Sequence, residues 1–435
     1  MLNGYKAPRF LLLGVSILTL SACGGSSGSN AGQGDEATSG HKVSELSEVP
    51  ASICTGVKSA EFNCESMLNS LLNNAVIPTV DELAEKLTAL NTGVNQYCDN
   101  VGQVEEANQL SAAQTQWAAA MAVWQRLEVM QFGQIAQQRD DFYSWPLNDE
   151  CKVDVDVVLG QAGDYDISAR TSPRRGLDAL EYLLFDSAND SANGKLYVRC
   201  QTVGAGKITD VPGLLEWDDL ALVEQKAQRC KQSSNITSHL IIRAETLKQS
   251  LVAGVFDDSV DTYQDAADSI SDALFYVDKL SKDVKSNKAL PASVSGSFNS
   301  AHLESQYAKV SLSNIHNNLL GAKLLMTANG SVGFYDFLVA AGQEGLANTM
   351  VSNLNLAIAA SSEIEITESL SHVVDGATLD QRGLCINAVV GETSLLGKVC
   401  ALGSPIIQAF TTDLKGQFVL TLGFTTPSDA EGDND

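Results

Sequence analysis

Asp178 and Glu181 are the pair with which any chemistry would begin. They stand three residues apart in the stretch Ser172-Pro173-Arg174-Arg175-Gly176-Leu177-Asp178-Ala179-Leu180-Glu181-Tyr182-Leu183-Leu184-Phe185. Leu177, Leu180, Leu184 and Phe185 mark an apolar face, so the stretch predicts a helix with Ser172 as its cap and Pro173 at its first position. Positions three apart are neighbours on a helix, and both carboxylates then project from one side. The nearest long upstream helix carries Trp117, Trp124 and Glu128, which offers a third carboxylate. Glu128, Asp178 and Glu181 would form an oxygen-only set suited to a hard divalent cation or to ferric iron.

A plainer account competes with this one. Carboxylates near a helix start interact well with its macrodipole, and Arg174 or Arg175 can pair with Asp178 across one turn. Trp117 and Trp124 lie seven apart, two turns along one face, which reads as core. Glu128 on that stripe is odder, because an apolar face tolerates no unpaired charge. Arg175 is the candidate partner.

Other chemistries find little support. The five histidines are His41, His239, His302, His316 and His372, and none forms a His-x-x-x-His pair. His302 and His316 could lend a distant imidazole, although a satisfied histidine is the commoner case. The Gly-x-Ser-x-Gly spacing occurs only within the Gly/Ser-rich stretch 24–28, not as a strand-to-helix elbow, and there is no Gly-x-x-x-x-Gly-Lys loop. The net charge of -25 argues against nucleic acid and for cations, metal ions or basic surfaces as partners.

The elements that must hold these residues are helical almost throughout. Apolar residues recur at helical spacing over 68–87, 105–138, 217–251, 259–287, 304–326, 334–341, 346–366 and 405–422. Between 139 and 170, Trp145-Pro146, Gly160 and Gly163 break the pattern into a long connection, and 186–212 is irregular as well. Residues 376–404, rich in glycine, predict a looped insert or a short hairpin. Alternating strands are scarce, so the fold class is all-α: two four-helix-bundle-like domains with long irregular loops. The first, 51–255, carries the motif, and the second, 256–425, carries the insert. An acidic tail, 426–435, follows and reads as a solvated end.

The N-terminus reads as an address. Lys6 and Arg9 precede an apolar run, 10–20, too short to span a membrane and shaped like a signal peptide. Its end, Leu20-Ser21-Ala22-Cys23-Gly24, resembles the lipobox of bacterial lipoproteins, in which the cysteine is lipidated and becomes the first residue. That divides 1–22 as signal peptide from 23–50 as a Gly/Ser-rich tether. Gly24 after Cys23 resembles the outer-membrane sorting pattern. The remaining eight cysteines are an even set, as disulfides in an exported chain require. Short loops close most cheaply, so neighbours are expected to pair: Cys54 with Cys64, Cys98 with Cys151, Cys200 with Cys230, and Cys385 with Cys400.

Trp117, then Trp124-Gln125-Arg126-Leu127-Glu128, Gln131-Phe132-Gly133 and Trp145-Pro146 resemble the first block of the imelysin family. The stretch from Arg175 to Phe185 is similar to its hallmark block, Gly-x-His-x-x-Glu. Glu304-Ser305, Ser311-Leu312 and 317–321 are similar to a third region. The resemblance implies an all-helical, two-bundle protein of the periplasm or cell surface with a site at the motif helix. Members of the family include metal-dependent peptidases and iron-regulated proteins with a proposed role in iron uptake. Gly176 and Glu181 match the motif, while Asp178 stands in place of its histidine, which weighs against a peptidase.

The expectation is therefore a lipid-anchored envelope protein, at the outer membrane facing periplasm or surface. It would bind a metal ion or a metal-bearing ligand in iron acquisition without catalysing a reaction, and an envelope protein is a further possible partner. The alternatives are a metallopeptidase using Glu181 and an envelope scaffold whose site has decayed.

Overall fold

Tryptophans and leucines at helical spacing set the frame. The structure, a computed structural model, describes residues 40–49, 54, 62–160, 165–186, 220–365 and 370–427. Cys23, the signal peptide, most of the tether, Cys200 and the end of the acidic tail lie outside these residues.

After a 3-10 turn, Val43–Glu45, the described residues form α1 (Cys64–Leu71), α2 (Ile77–Asp99), α3 (Glu106–Glu128), α4 (Gly133–Phe142), α5 (Glu150–Leu159), α6 (Leu177–Phe185) and α7 (Leu222–Ala253). After α8 (Tyr263–Leu274) comes a π-helical run, Val277–Asn287. Then follow α9 (Ser311–Thr327), α10 (Phe334–Ala340), α11 (Glu344–Glu365), α12 (Leu370–Gly376), α13 (Arg382–Ile386) and α14 (Leu395–Ala401), and the helical turns to Leu422. Among the described residues the only extended pairings are isolated bridges, His41 with Phe256 and Ser47 with Thr262. The fold is all-α.

Val80, Leu83, Leu87, Leu90 and Val94 of α2 are buried at intervals of three and four, one stripe facing α3 and α7. α3 packs in turn on α9, and α9 on α11. The α3–α9 crossing is tight at Gly321, where a Cβ would lie well inside contact distance of the Arg126 carbonyl oxygen. The described residues belong to one compact unit.

Several local expectations are corrected. The stretch 105–138 is two helices, because residues 129–132 leave helical hydrogen bonding before α4 starts. The connection 139–170 contains α5, N-capped by Asp149, whose side chain accepts from the Lys152 amide. The stretch 304–326 becomes helical only at Ser311, and the insert 376–404 is helical rather than a hairpin. Ser172 does not cap the motif helix. It opens a separate 3-10 turn, Ser172–Arg174, and Gly176 is the N-cap of α6.

Disulfides join Cys54 to Cys64 and Cys385 to Cys400, as short loops predict. The other expected pairings fail: Cys98 is bonded to Cys230, not to Cys151. The end of α2 lies against α7, which brings their Cα atoms to 5.4 Å. Packing of long helices overrode sequence distance.

Candidate functional site

Three neighbours fix α6. Trp117 Nε1 on α3 donates to the Leu177 carbonyl at 2.9 Å, and the Phe185 ring meets the Trp117 indole edge-on at 5.1 Å. Tyr182 donates to both oxygens of Asp154 on α5 at 3.0 and 2.9 Å. Arg229 on α7 donates to the Tyr182 carbonyl at 3.0 Å, with its guanidinium 4.8 Å over the Tyr182 ring. The motif glycine has a steric cause. A Cβ on Gly176 would come within 2.9 Å of the Phe142 carbonyl oxygen and closer still to Asp178.

One face of α6 opens on a narrow cleft of about 10 Å³, room for about one water molecule, lined by Asp178, Glu181, Tyr182, Tyr307, Asp149 and Glu150 among others. Asp178 is only 7% exposed, and neither carboxylate oxygen has a hydrogen-bond partner. Burial pushes its pKa up to about 7, against the opposing pull of nearby amides and of Arg139. Glu181 Oε1 accepts from the amides of Tyr307 at 3.0 Å and Ala308 at 2.9 Å. Burial nevertheless pushes its pKa up to about 8, and the charges of Glu304 and Asp178 add to the rise.

Glu128 sits apart from the cleft, fully buried in a cluster of its own. Oε1 accepts from Arg139 Nη2 and Oε2 from Lys285 Nζ, both at 2.9 Å. Lys285, also fully buried, lies 3.0 Å from Glu304 Oε1 and donates to Gln125 Oε1 at 2.6 Å. Gln125 Nε2 donates to Glu304 at 3.1 Å, and Asn318 donates to Gln125 Oε1 at 2.9 Å. Burial alone would raise the Glu128 pKa, but Lys285 and Arg139 outweigh it and hold the group below the usual range. Glu304, whose Oε2 has no hydrogen-bond partner, is pushed up by burial and by Glu128. Between cluster and cleft stands the buried Tyr143 hydroxyl, its pKa raised by burial and then by Glu304, Glu181, Glu128 and Asp178.

Asp178 and Glu181 are therefore brought together, and Glu128 is held elsewhere. The expected partner of Glu128, Arg175, is bonded to Asp141 instead, because α4 turns Arg139 and Asp141 to opposite sides. Arg174 takes Asp156, so neither arginine pairs with Asp178. His302 and His316 do not line the cleft, and His316 Nδ1 lies 3.0 Å from Ser361 Oγ. Among the described residues no group of three or more His, Cys, Asp and Glu side chains is placed to hold a metal ion.

Sequence reasoning missed Lys285, Arg139, Tyr143 and Tyr307. Glu128 carried a signal for the first two, since a charge on a buried stripe demands a cation. Tyr307 had none.

The model of the imelysin family (Peptidase M75) matches residues 76–390. The chain belongs to that family. Among solved structures it resembles an imelysin-like protein from Psychrobacter arcticum 273-4, 16% identical, with a TM-score of 0.54 over 83% of this chain and 97% of that one. It also resembles a candidate iron-regulated protein A precursor from Parabacteroides distasonis ATCC 8503, 17% identical, with a TM-score of 0.53 over 88% and 100%. At such identities the likeness speaks for the imelysin fold alone. No curated protein matches. The cleft lies within the residues that the family model matches, at the helix that carries Asp178 and Glu181. No helix of the described residues is long and apolar enough to cross a membrane.

Proposed function

We propose that this imelysin-family chain is a non-enzymatic envelope protein, anchored through a lipid on Cys23, that captures a metal-bearing ligand or a metal ion in iron acquisition. Asp178 and Glu181 are the residues that touch the cargo. The observation that carries this is Asp178: a buried carboxylate with no hydrogen-bond partner on either oxygen, facing a cleft beside a second carboxylate. A buried polar group without a partner is costly, and an incoming cation supplies what is missing.

The residues fit an incomplete oxygen shell, not a closed metal centre. Two carboxylates provide fewer oxygens than hard cations require, which favours cargo whose metal brings ligands or water of its own. The acidic net charge of -25 would draw cations toward such a cleft. A neighbour in fold is described as an iron-regulated protein precursor, which is consistent with iron as the metal. A peptidase finds less support, because no imidazole lines the cleft.

Calorimetric titration with ferric citrate, Mn²⁺ and Ca²⁺ tests the proposal, using the intact protein beside Asp178→Asn and Glu181→Gln. Micromolar or tighter binding of at least one probe, weakened at least about tenfold in either variant, is expected. Binding that is equal in all three proteins, or absent throughout, overturns it.

A further inference from the structure

Tyr307 is attached to the cleft at three points. Its amide donates to Glu181 Oε1 at 3.0 Å, its hydroxyl donates to Glu150 Oε1 at 3.1 Å, and its ring meets Tyr182 edge-on at 5.4 Å. It therefore bridges the first turn of α5 and the motif helix, across the two carboxylates. The backbone on either side is unusual. Ser305 and Lys309 both have left-handed φ, 51° and 60°, although neither is glycine. Such conformations are costly for residues with a Cβ and persist only where the surroundings impose them.

Those surroundings are visible on one side of the cleft. The Lys309 amide donates to the Ser305 carbonyl at 2.7 Å, closing the neck of the loop, and Asn314 Nδ2 donates to Ser305 Oγ at 2.9 Å. Glu304, just before the neck, is fixed on Lys285 and Gln125. The neck is thus anchored in the buried cluster. Residues 306–308 reach out from it, and Gln306 and Tyr307 form part of the cleft wall.

We propose that residues 306–308 are a strap over the Asp178/Glu181 cleft, hinged at Ser305 and Lys309 and latched by Tyr307 on Glu150. A ligand reaches the two carboxylates only when the latch is released. The gating role rests on the cation-capture function above; the strap itself does not. Opening removes the amides of Tyr307 and Ala308 from Glu181, which frees Oε1 for the incoming group. The two anchors differ in kind: backbone amides hold the carboxylate, and a phenol holds Glu150. Tyr307→Phe deletes the second alone.

Amide hydrogen exchange at Tyr307 and Ala308, in the intact protein without ligand, tests the strap. A charge-assisted hydrogen bond at a partly exposed site is worth about a tenfold change in an opening equilibrium. Tyr307→Phe and Glu150→Gln should each speed exchange at these two amides about tenfold, with α6 amides and the melting temperature unchanged. Association of Tb³⁺, followed by luminescence sensitised through the remaining Tyr182, should accelerate by a similar factor. Exchange within about twofold of wild type in both variants overturns the strap. Faster exchange with an unchanged Tb³⁺ association rate overturns its role as a gate. Faster exchange in a protein that binds no Tb³⁺ upholds the strap and removes cation capture instead.

Discussion

Lys285 Nζ lies 2.9 Å from Glu128 Oε2, and neither side chain is exposed to solvent. The pair joins the π-helical run to α3, far apart in sequence, and brings Glu304 and Gln125 with it. Acidic oxygens from separate segments do converge on a positive charge here, and that charge belongs to the chain itself.

Removing the ammonium leaves Glu128 with Arg139 alone and Glu304 without a cation. Breaking a buried pair costs about 3–5 kcal/mol, so Lys285→Met should lower the free energy of unfolding by that amount in urea titrations. Adding Glu304→Gln to Lys285→Met should restore part of it. If Lys285→Met proves neutral, the cluster does not hold the two segments together.

Asp178 and Glu181 make stability fall as pH rises. Their carboxyls hold protons in the folded state up to about 7 and about 8, whereas the unfolded chain releases them near the ordinary carboxyl values. Their favourable contribution is full below those ordinary values and is lost as pH climbs through the folded-state pKa values. The melting temperature difference between Asp178→Asn and wild type should therefore grow in favour of the variant from pH 5 to about pH 7 and level off above that. A constant difference would show that Asp178 titrates normally.

Gly176 has room for hydrogen only. Gly176→Ala forces a methyl against the Phe142 carbonyl and the Asp178 carboxylate, and overpacking of this kind costs about 1–3 kcal/mol. Thermal unfolding at pH 5 should register the loss. Cation binding should weaken too, since Asp178 must move.

The Cys98–Cys230 bond ties α2 to α7 across 132 residues. Non-reducing peptide mapping should recover this pair. Replacing both cysteines by serine should cost about 2–5 kcal/mol in denaturant titrations, the usual range for a native disulfide.

The all-helical frame was legible because apolar residues such as Leu83, Leu87 and Leu90 repeat with the period of the helix. The motif pair was legible for the same reason: Asp178 and Glu181 share a helix, so spacing alone puts them together. Glu128 was not, since its neighbours in space come from elements whose relative placement the sequence does not encode locally. Lys285 was hidden by geometry. A 3.6-residue period puts Leu280 and Val284 inside, yet the wider π-helical turn leaves both only partly buried and turns Lys282 and Lys285 fully inward. Tyr307 lies in a stretch that reads as helix and folds as a loop, which concealed its reach to Glu150 and Glu181.

An ammonium carried on one of the protein's own side chains cannot be chelated, diluted away or exchanged for a competitor. The neck of the strap is built on that fixture. Its shape is therefore set by the chain's own charges, with no bound ion needed to form it.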